Sequence, residues 1–373
     1  MIIPLHHYQS GYRIASLAKC DETLHNLRAQ GLDALFLQEG TVWLHPDGTQ
    51  LFPDEQGLRR LSECDDYDVF EIEEDGQAFR YYDNESADNA FVVTAKCNSN
   101  CVMCPSSASY RKNGGTTSVA HLLQIVNYIP SDASHLTITG GEPFLLGRDI
   151  FRFLEALKNK FHDTGFLLLT NGRIFSIPAY CDLLEQTLPP QTLLGIPLHG
   201  YNAATHDLIT QAPGSFYETV AGLKHLLARG FHVELRIVVS KITAEYLDAL
   251  AERIIHTFPG VETVKFMGLE MLGNAARNSD RIWLPYAQAF QKSRNAIRRL
   301  ILSGIDVGLY NFPLCAVDQE FWPICAKSIS DYKVRFPEPC ETCAVRDACG
   351  GLFAGSYRFA KEGVSPIGDR VQC

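Results

Sequence analysis

Three cysteines, Cys97, Cys101 and Cys104, fall within eight residues in the run Thr94-Ala95-Lys96-Cys97-Asn98-Ser99-Asn100-Cys101-Val102-Met103-Cys104-Pro105. Thiolates this closely spaced can wrap around one soft metal centre. A zinc site wants four tetrahedral ligands, and no fourth cysteine or histidine lies near in the sequence. A 4Fe–4S cluster normally takes one cysteine per iron, so three thiolates leave one iron open to a small chelating ligand. The next strand-like run ends His135-Leu136-Thr137-Ile138-Thr139-Gly140-Gly141-Glu142-Pro143. Two glycines at a strand end let backbone approach a partner closely, since no Cβ intervenes. Exposed backbone groups plus the Glu142 carboxylate suit an ammonium ligand.

A second cluster, Cys340-x2-Cys343-x5-Cys349 followed by Gly350-Gly351, lies in a proline-punctuated segment with little periodicity. A region that cannot build a core from packing often relies on a metal. Cys315 is the preferred fourth ligand; Cys373 is the alternative, and Cys325 also lies nearby. Zinc held by four thiolates stays open here, because such tetrads suit both metals. The remaining three of the twelve cysteines, Cys20, Cys64 and Cys181, read as small hydrophobes. Tight clusters of this kind point to a reducing compartment rather than to disulfides.

The spacing Cys97-x3-Cys101-x2-Cys104, with Gly140-Gly141-Glu142-Pro143 one strand–helix unit later, resembles the radical S-adenosylmethionine (SAM) superfamily over residues 91–274. The resemblance implies that the three thiolates hold a 4Fe–4S cluster and that Gly140 to Pro143 hold the amino group of SAM. It implies further cofactor contacts at Met103, where relatives carry an aromatic residue against adenine, and at Glu270, beyond the sixth strand. Asn171, in Thr170-Asn171-Gly172, reads as a contact or simply as a turn. Arg236 reads either as a clamp on the SAM carboxylate or as a strand arginine facing helix or solvent. In Ile196-Pro197-Leu198-His199-Gly200, which replaces the serine/aspartate pair common in relatives, His199 reads as a structural histidine, the alternative being a proton donor or acceptor in the pocket.

The second cluster resembles the SPASM or twitch auxiliary-cluster domains of radical SAM peptide-modifying enzymes. Leu352 and Phe353 stand where a further cysteine would complete the full pattern, so one auxiliary 4Fe–4S cluster on Cys315, Cys340, Cys343 and Cys349 is implied. Together with Pro313-Leu314-Cys315 and Ser328-Ile329-Ser330-Asp331-Tyr332-Lys333, the segment resembles the His-Xaa-Ser system radical SAM maturase, C type. That resemblance implies an oxidoreductase that cleaves SAM to a 5′-deoxyadenosyl radical and abstracts hydrogen from a ribosomally made peptide, crosslinking being one outcome. Its implied partners are a peptide or small protein, with His-Xaa-Ser repeats as one candidate, and a low-potential electron donor. The competing readings are a radical SAM enzyme acting on a small molecule and a zinc-stabilised, non-catalytic peptide adaptor.

These residues need a scaffold that brings strand ends together. Apolar, β-branched runs at 91–94, 136–139, 166–169, 193–198, 233–239 and 264–267 alternate with helical patterns at 118–128, 148–161, 177–188, 216–228 and 244–258. Such alternation gives βαβ units and a parallel sheet, with chemistry at the carboxyl ends of the strands. The expected fold is α/β: a partial (β/α)6 barrel over 90–280, then a basic helix near 284–301, a short strand near 307–309 and an irregular cysteine-rich domain to 373. Residues 1–89 read as a small, irregular N-terminal domain with a helix near 20–30 and strand pieces at 34–37 and 41–44. Its acidic stretch 63–88 reads as a solvated face or as a docking surface for a basic peptide.

A formal charge of −10 over 373 residues disfavours nucleic acid, whose binding rests on phosphate neutralisation. No apolar run suits a membrane span and the start resembles no secretory signal, so the expected setting is cytoplasmic.

Overall fold

The computed structural model describes residues 1–6, 8–327 and 330–368. Ser328, Ile329 and Cys373, singled out above, lie outside the described residues.

The N-terminal block is not irregular. Seven strands, β1 (Ile2–His6), β2 (Arg13–Ala18), β3 (Ala34–Gln38), β4 (Thr41–His45), β5 (Thr49–Pro53), β6 (Val69–Ile72) and β7 (Gln77–Tyr82), close into a barrel in the order β1-β5-β4-β3-β2-β6-β7. Closure satisfies strand edges that would otherwise be open. Ile3, Leu17, Leu35, Val42, Leu44 and Phe70 fill the interior. Each strand is only four to six residues long, and the exposed positions include Ile2, Trp43 and Phe52, so the polar–apolar alternation is too brief and too broken to stand out in the sequence. The helix expected near 20–30 is present at Asp21–Ala29. The acidic stretch 63–88 contributes β6 and β7 to the barrel. Within it Asp68 is fully buried, accepting from Arg80 at 3.0 Å and from the Asn84 amide at 2.7 Å.

From Ala90 the fold is α/β. Eight parallel strands lie side by side in chain order: β8 (Ala90–Val92), β9 (His135–Thr139), β10 (Gly165–Leu169), β11 (Thr192–Pro197), β12 (Val233–Val238), β13 (Thr263–Met267), β14 (Asp306–Tyr310) and β15 (Cys325–Ala326). The six strands expected of the barrel are the first six, the short strand expected near 307–309 is β14, and the two-residue β15 extends the sheet beyond it. Helices Val119–Tyr128, Asp149–Lys160, Pro178–Thr187, Ser215–Ala228 and Leu247–Thr257 follow the first five strands, and the basic helix Tyr286–Leu302 precedes β14. Helix Ala203–Thr210, opened by a capping box of Asn202 and Thr205, was not legible in the pattern. Beyond β14 the described chain holds β15, short 3-10 turns, the one-turn helix Tyr357–Ala360 and a small antiparallel pair, β16 (Val334–Arg335) with β17 (Leu352–Phe353).

Strand alternation builds the core. On β9 and β10, Leu136, Ile138, Phe166 and Leu168 are buried, whereas Thr137, Thr139, Leu167 and Leu169 on the other face are half-buried. Phe91 on β8 meets Phe153 edge-on at 5.1 Å, locking the strand that leads into the cysteine loop. Among the described residues no helix is long and apolar enough to cross a membrane. Phe153 is fully buried, so Phe153→Ala should lower the stability of this domain by about 3–5 kcal/mol. Denaturant titration followed by circular dichroism checks this; a loss under about 1 kcal/mol would contradict the packing described.

Candidate metal and cofactor site

The loop carrying Cys97, Cys101 and Cys104 follows β8, and all three cysteines are half-buried. The thiols sit within electrostatic reach of one another. Burial, then Cys104 and Cys97, push the Cys101 thiol up to about 12. Burial first, with Glu142 and Cys104 adding, also raises Cys97. The Arg111 guanidinium offsets this in part; three thiolates packed together remain unfavourable, and a positively charged metal centre suits them.

The glycines of the next strand end act on this loop directly. Gly141 donates its amide to the Thr94 carbonyl at 2.7 Å, and Glu142 donates to Lys96 at 2.8 Å. A Cβ on Gly141 would stand 2.1 Å from the Lys96 oxygen, and one on Gly140, at φ +154°, 2.4 Å from the Thr94 oxygen. The close approach that these glycines permit is therefore of backbone to backbone. Glu142 is buried, and its carboxylate accepts from the Thr170 hydroxyl at 2.8 Å, the Asn171 amide at 2.7 Å and the Phe144 amide at 3.2 Å. Burial raises its pKa despite these bonds. Pro143 opens the turn Pro143–Leu146. The ends of β8, β9 and β10 are thus tied together through Gly141, Glu142 and Asn171.

Asn171, expected as a contact or a turn, holds the same loop, together with residues that the sequence did not single out. Asn171 donates to Asn98 at 2.6 Å, and Arg173 donates to the Asn98 carbonyl at 2.8 Å and to Ser99 at 3.2 Å. From beyond β13, Asn274 donates through its side chain to Asn100 and to the Cys101 carbonyl, both at 3.1 Å, and through its amide to the Cys104 carbonyl at 3.0 Å. Asn278 reaches the Val102 carbonyl at 2.9 Å, and the buried Arg111 donates to Asn100. The loop amides of Asn100 and Val102 donate to Thr210 and Ile209 at the end of helix Ala203–Thr210, at 2.8 and 2.9 Å.

Other expected contacts are placed differently. Met103 is buried in an apolar cluster with Val102, Ile209, Leu269 and Met271. Arg236 lies on β12 with its Nε 3.1 Å from Glu234 on the same strand face. Glu270 is half-buried after β13, its pKa raised by burial and lowered in part by Lys333. His199 is buried beside His206, ring centres 5.7 Å apart, and its amide donates to His206 at 3.2 Å.

In the C-terminal segment, Cys315, Cys340, Cys343 and Cys349 line one cavity. The amides of Leu314 and Gly351 donate to Cys349 sulfur and that of Ile367 to Cys343 sulfur, each at 3.4 Å. Donors aimed at sulfur suit thiolates bound to a cluster. Cys325, on β15, does not line the cavity; burial, with Cys349 adding, pushes its thiol up to about 12. Among the described residues no three His, Cys, Asp or Glu side chains are grouped to hold a single metal ion. Both cysteine sets fit an iron–sulfur cluster in donor chemistry.

Residues 91–274 match the radical SAM superfamily, so the chain carries a radical SAM domain. The chain is 29% identical over 159 residues to an AdoMet-dependent heme synthase of Methanosarcina barkeri, covering 42% of this chain and 43% of the relative. A second AdoMet-dependent heme synthase, from Nitratidesulfovibrio vulgaris, is 23% identical over 153 residues, covering 41% and 40% of the two chains. The matches span less than half the length of these curated relatives. Among solved structures, SuiB of Streptococcus suis bound to S-adenosylmethionine superposes with a TM-score of 0.49 at 12% identity, covering 59% of this chain and 49% of that one.

Gly141→Ala should keep the fold by circular dichroism yet take up little iron at Cys97–Cys104 on anaerobic reconstitution, because the added methyl expels the loop. Normal iron uptake would show that the contact is dispensable. A second expectation concerns pH. Burial above all, with His206 adding, holds His199 down to about 3, and burial holds His206 down to about 4. Below the unfolded value of about 6.5, the unfolded chain takes up protons that the folded imidazoles refuse, so stability falls from there towards pH 4. His206→Asn, which keeps an acceptor for the His199 amide, should flatten that decline by about 1.4 kcal/mol per pH unit. Denaturation curves at pH 6.5 and 5 decide; an unchanged slope would contradict a neutral, buried His206.

Proposed function

We propose that the chain is a radical SAM peptide maturase with two iron–sulfur clusters. In this reading Cys97, Cys101 and Cys104 hold the SAM-binding cluster, and Cys315, Cys340, Cys343 and Cys349 hold an auxiliary one. The observation that carries it is the presence, beside the three-cysteine loop, of four further cysteines lining one cavity with backbone amides aimed at two of their sulfurs. Sharing a cavity without grouping around one point suits a polynuclear cluster better than a single zinc ion.

Bound together, cluster and SAM supply the electron and the 5′-deoxyadenosyl group that make a hydrogen-abstracting radical. The chain's own residues do the rest. Gly140, Gly141, Glu142, Asn171 and Asn274 fix the loop, and the strand ends around it surround the reacting centre and limit water. A peptide substrate is supported by an open cavity of about 870 Å³ beside edge strand β8. Glu63, Asp65, Asp83, Glu85 and Asp88 line it, while its one arginine, Arg80, is already paired with Asp68 and Asp83 at 3.0 and 2.7 Å. Those carboxylates suit a basic peptide. The motif at Pro313–Cys315 and Cys340–Gly351 supports the His-Xaa-Ser maturase type.

A second reading, radical chemistry on a small molecule, is favoured by the heme synthase relatives. Co-expression with a short protein containing His-Xaa-Ser repeats separates the two: a mass change in that protein supports the maturase, whereas an unmodified protein beside active SAM cleavage favours the small molecule. Cys97→Ala, Cys101→Ala and Cys104→Ala should each abolish 5′-deoxyadenosine formation. Cys343→Ala should retain uncoupled 5′-deoxyadenosine formation while peptide modification stops; equal loss of both would remove the separate auxiliary role.

A further inference from the structure

Arg173 stands just past the end of β10, its side chain only 15% exposed. It sits on a rigid base. Gly172 before it takes the left-handed conformation at φ +74°, and helix Ser215–Ala228 presses onto this turn so closely that a Cβ on Gly222 would stand 2.3 Å from the Gly172 oxygen. Thr219 of that helix donates to the Asn171 carbonyl at 3.2 Å. From this base the guanidinium reaches two ways. Its Nε donates to Glu218 at 2.5 Å, and its Nη1 donates to the Asn98 carbonyl at 2.8 Å and the Ser99 hydroxyl at 3.2 Å.

Asn98 and Ser99 are two of the three residues between Cys97 and Cys101. Burying a guanidinium is costly unless its donors are satisfied, and a hydrophobic side chain could fill the space without that cost. What only the guanidinium provides is a fork that joins the loop's main chain to an acidic anchor on a distant helix. The third spacer residue, Asn100, is held from other sides, by Arg111 and Asn274. Without Arg173, the hydrogen bond from Asn171 is the contact that holds Asn98 among the described residues.

We infer that Arg173, anchored by Glu218, is a positioning residue that holds the Cys97–Cys101 segment in its cluster-binding shape. The inference rests on the radical SAM reading of these cysteines. Its role is to keep the thiolates pre-spaced, so that the cluster is retained rather than merely assembled.

The test uses the full chain, reconstituted without oxygen and challenged with a ferrous chelator. The kinetic phase of iron release missing from Cys101→Ala belongs to the first cluster. In Arg173→Met that phase should run about tenfold faster, as loss of a charge-assisted hydrogen bond implies. Arg173→Lys should fall between Met and wild type, and Glu218→Gln should also accelerate release although it leaves the loop contacts in place. The auxiliary phase and the thermal unfolding midpoint should stay unchanged in all of them. Unchanged first-phase release in both Arg173→Met and Glu218→Gln would overturn the inference, as would equal acceleration of both phases. Should Arg173→Met fail to fold, Glu218→Gln and Arg173→Lys decide by the same criterion. Wild-type protein that takes up no iron at the Cys97 loop would instead overturn the cluster reading, and this inference with it.

Discussion

A methyl group cannot occupy the 2.1 Å between the ideal Cβ position of residue 141 and the carbonyl oxygen of Lys96. That prohibition organises the site. Because residues 140 and 141 are glycines, the end of β9 lies main chain against main chain on the peptide that leads into Cys97, joined by two hydrogen bonds. The same strand end then delivers Glu142 to Thr170 and Asn171 at the end of β10. A three-cysteine loop with no regular structure of its own acquires a fixed shape from the sheet beneath it.

The parallel sheet makes this possible. Strands added in chain order place every carboxyl end on one rim, so residues far apart in sequence converge on the loop: Asn171 and Arg173 after β10, Thr210 after β11, Asn274 and Asn278 after β13. Most of these contacts go to loop carbonyls or to Asn98, Ser99 and Asn100. The C-terminal cavity follows the same logic with less scaffold. It is framed by 3-10 turns and a two-stranded pair, and amide donors to sulfur replace the strand ends.

How much of this was legible follows from the length of each signal. Runs such as Leu136–Thr139 and Phe166–Leu169, separated by amphipathic helices, announced the α/β sheet because both periods repeat several times. Cysteine spacing and Gly-Gly-Glu-Pro marked the loop and its support, and Cys315 does line the cavity with Cys340, Cys343 and Cys349. The N-terminal barrel was missed because its strands are short and its closing pair, β1 with β7, joins distant segments. Arg173, Asn274 and Asn278 were missed because an isolated polar residue after a strand reads as a turn until the topology shows what it faces. Arg236 shows the converse: its strand position was visible in the sequence, but its partner, Glu234, was not.

In the proposed function the Cys97 loop holds an iron–sulfur cluster with one iron left free for SAM. Electron paramagnetic resonance of dithionite-reduced Cys343→Ala protein, with and without SAM, tests it most directly, since the auxiliary site is disabled there. A reduced-cluster signal whose g-values change when SAM is added is the expected result. A signal indifferent to SAM, or none at all in protein reconstituted with iron and sulfide, would contradict it.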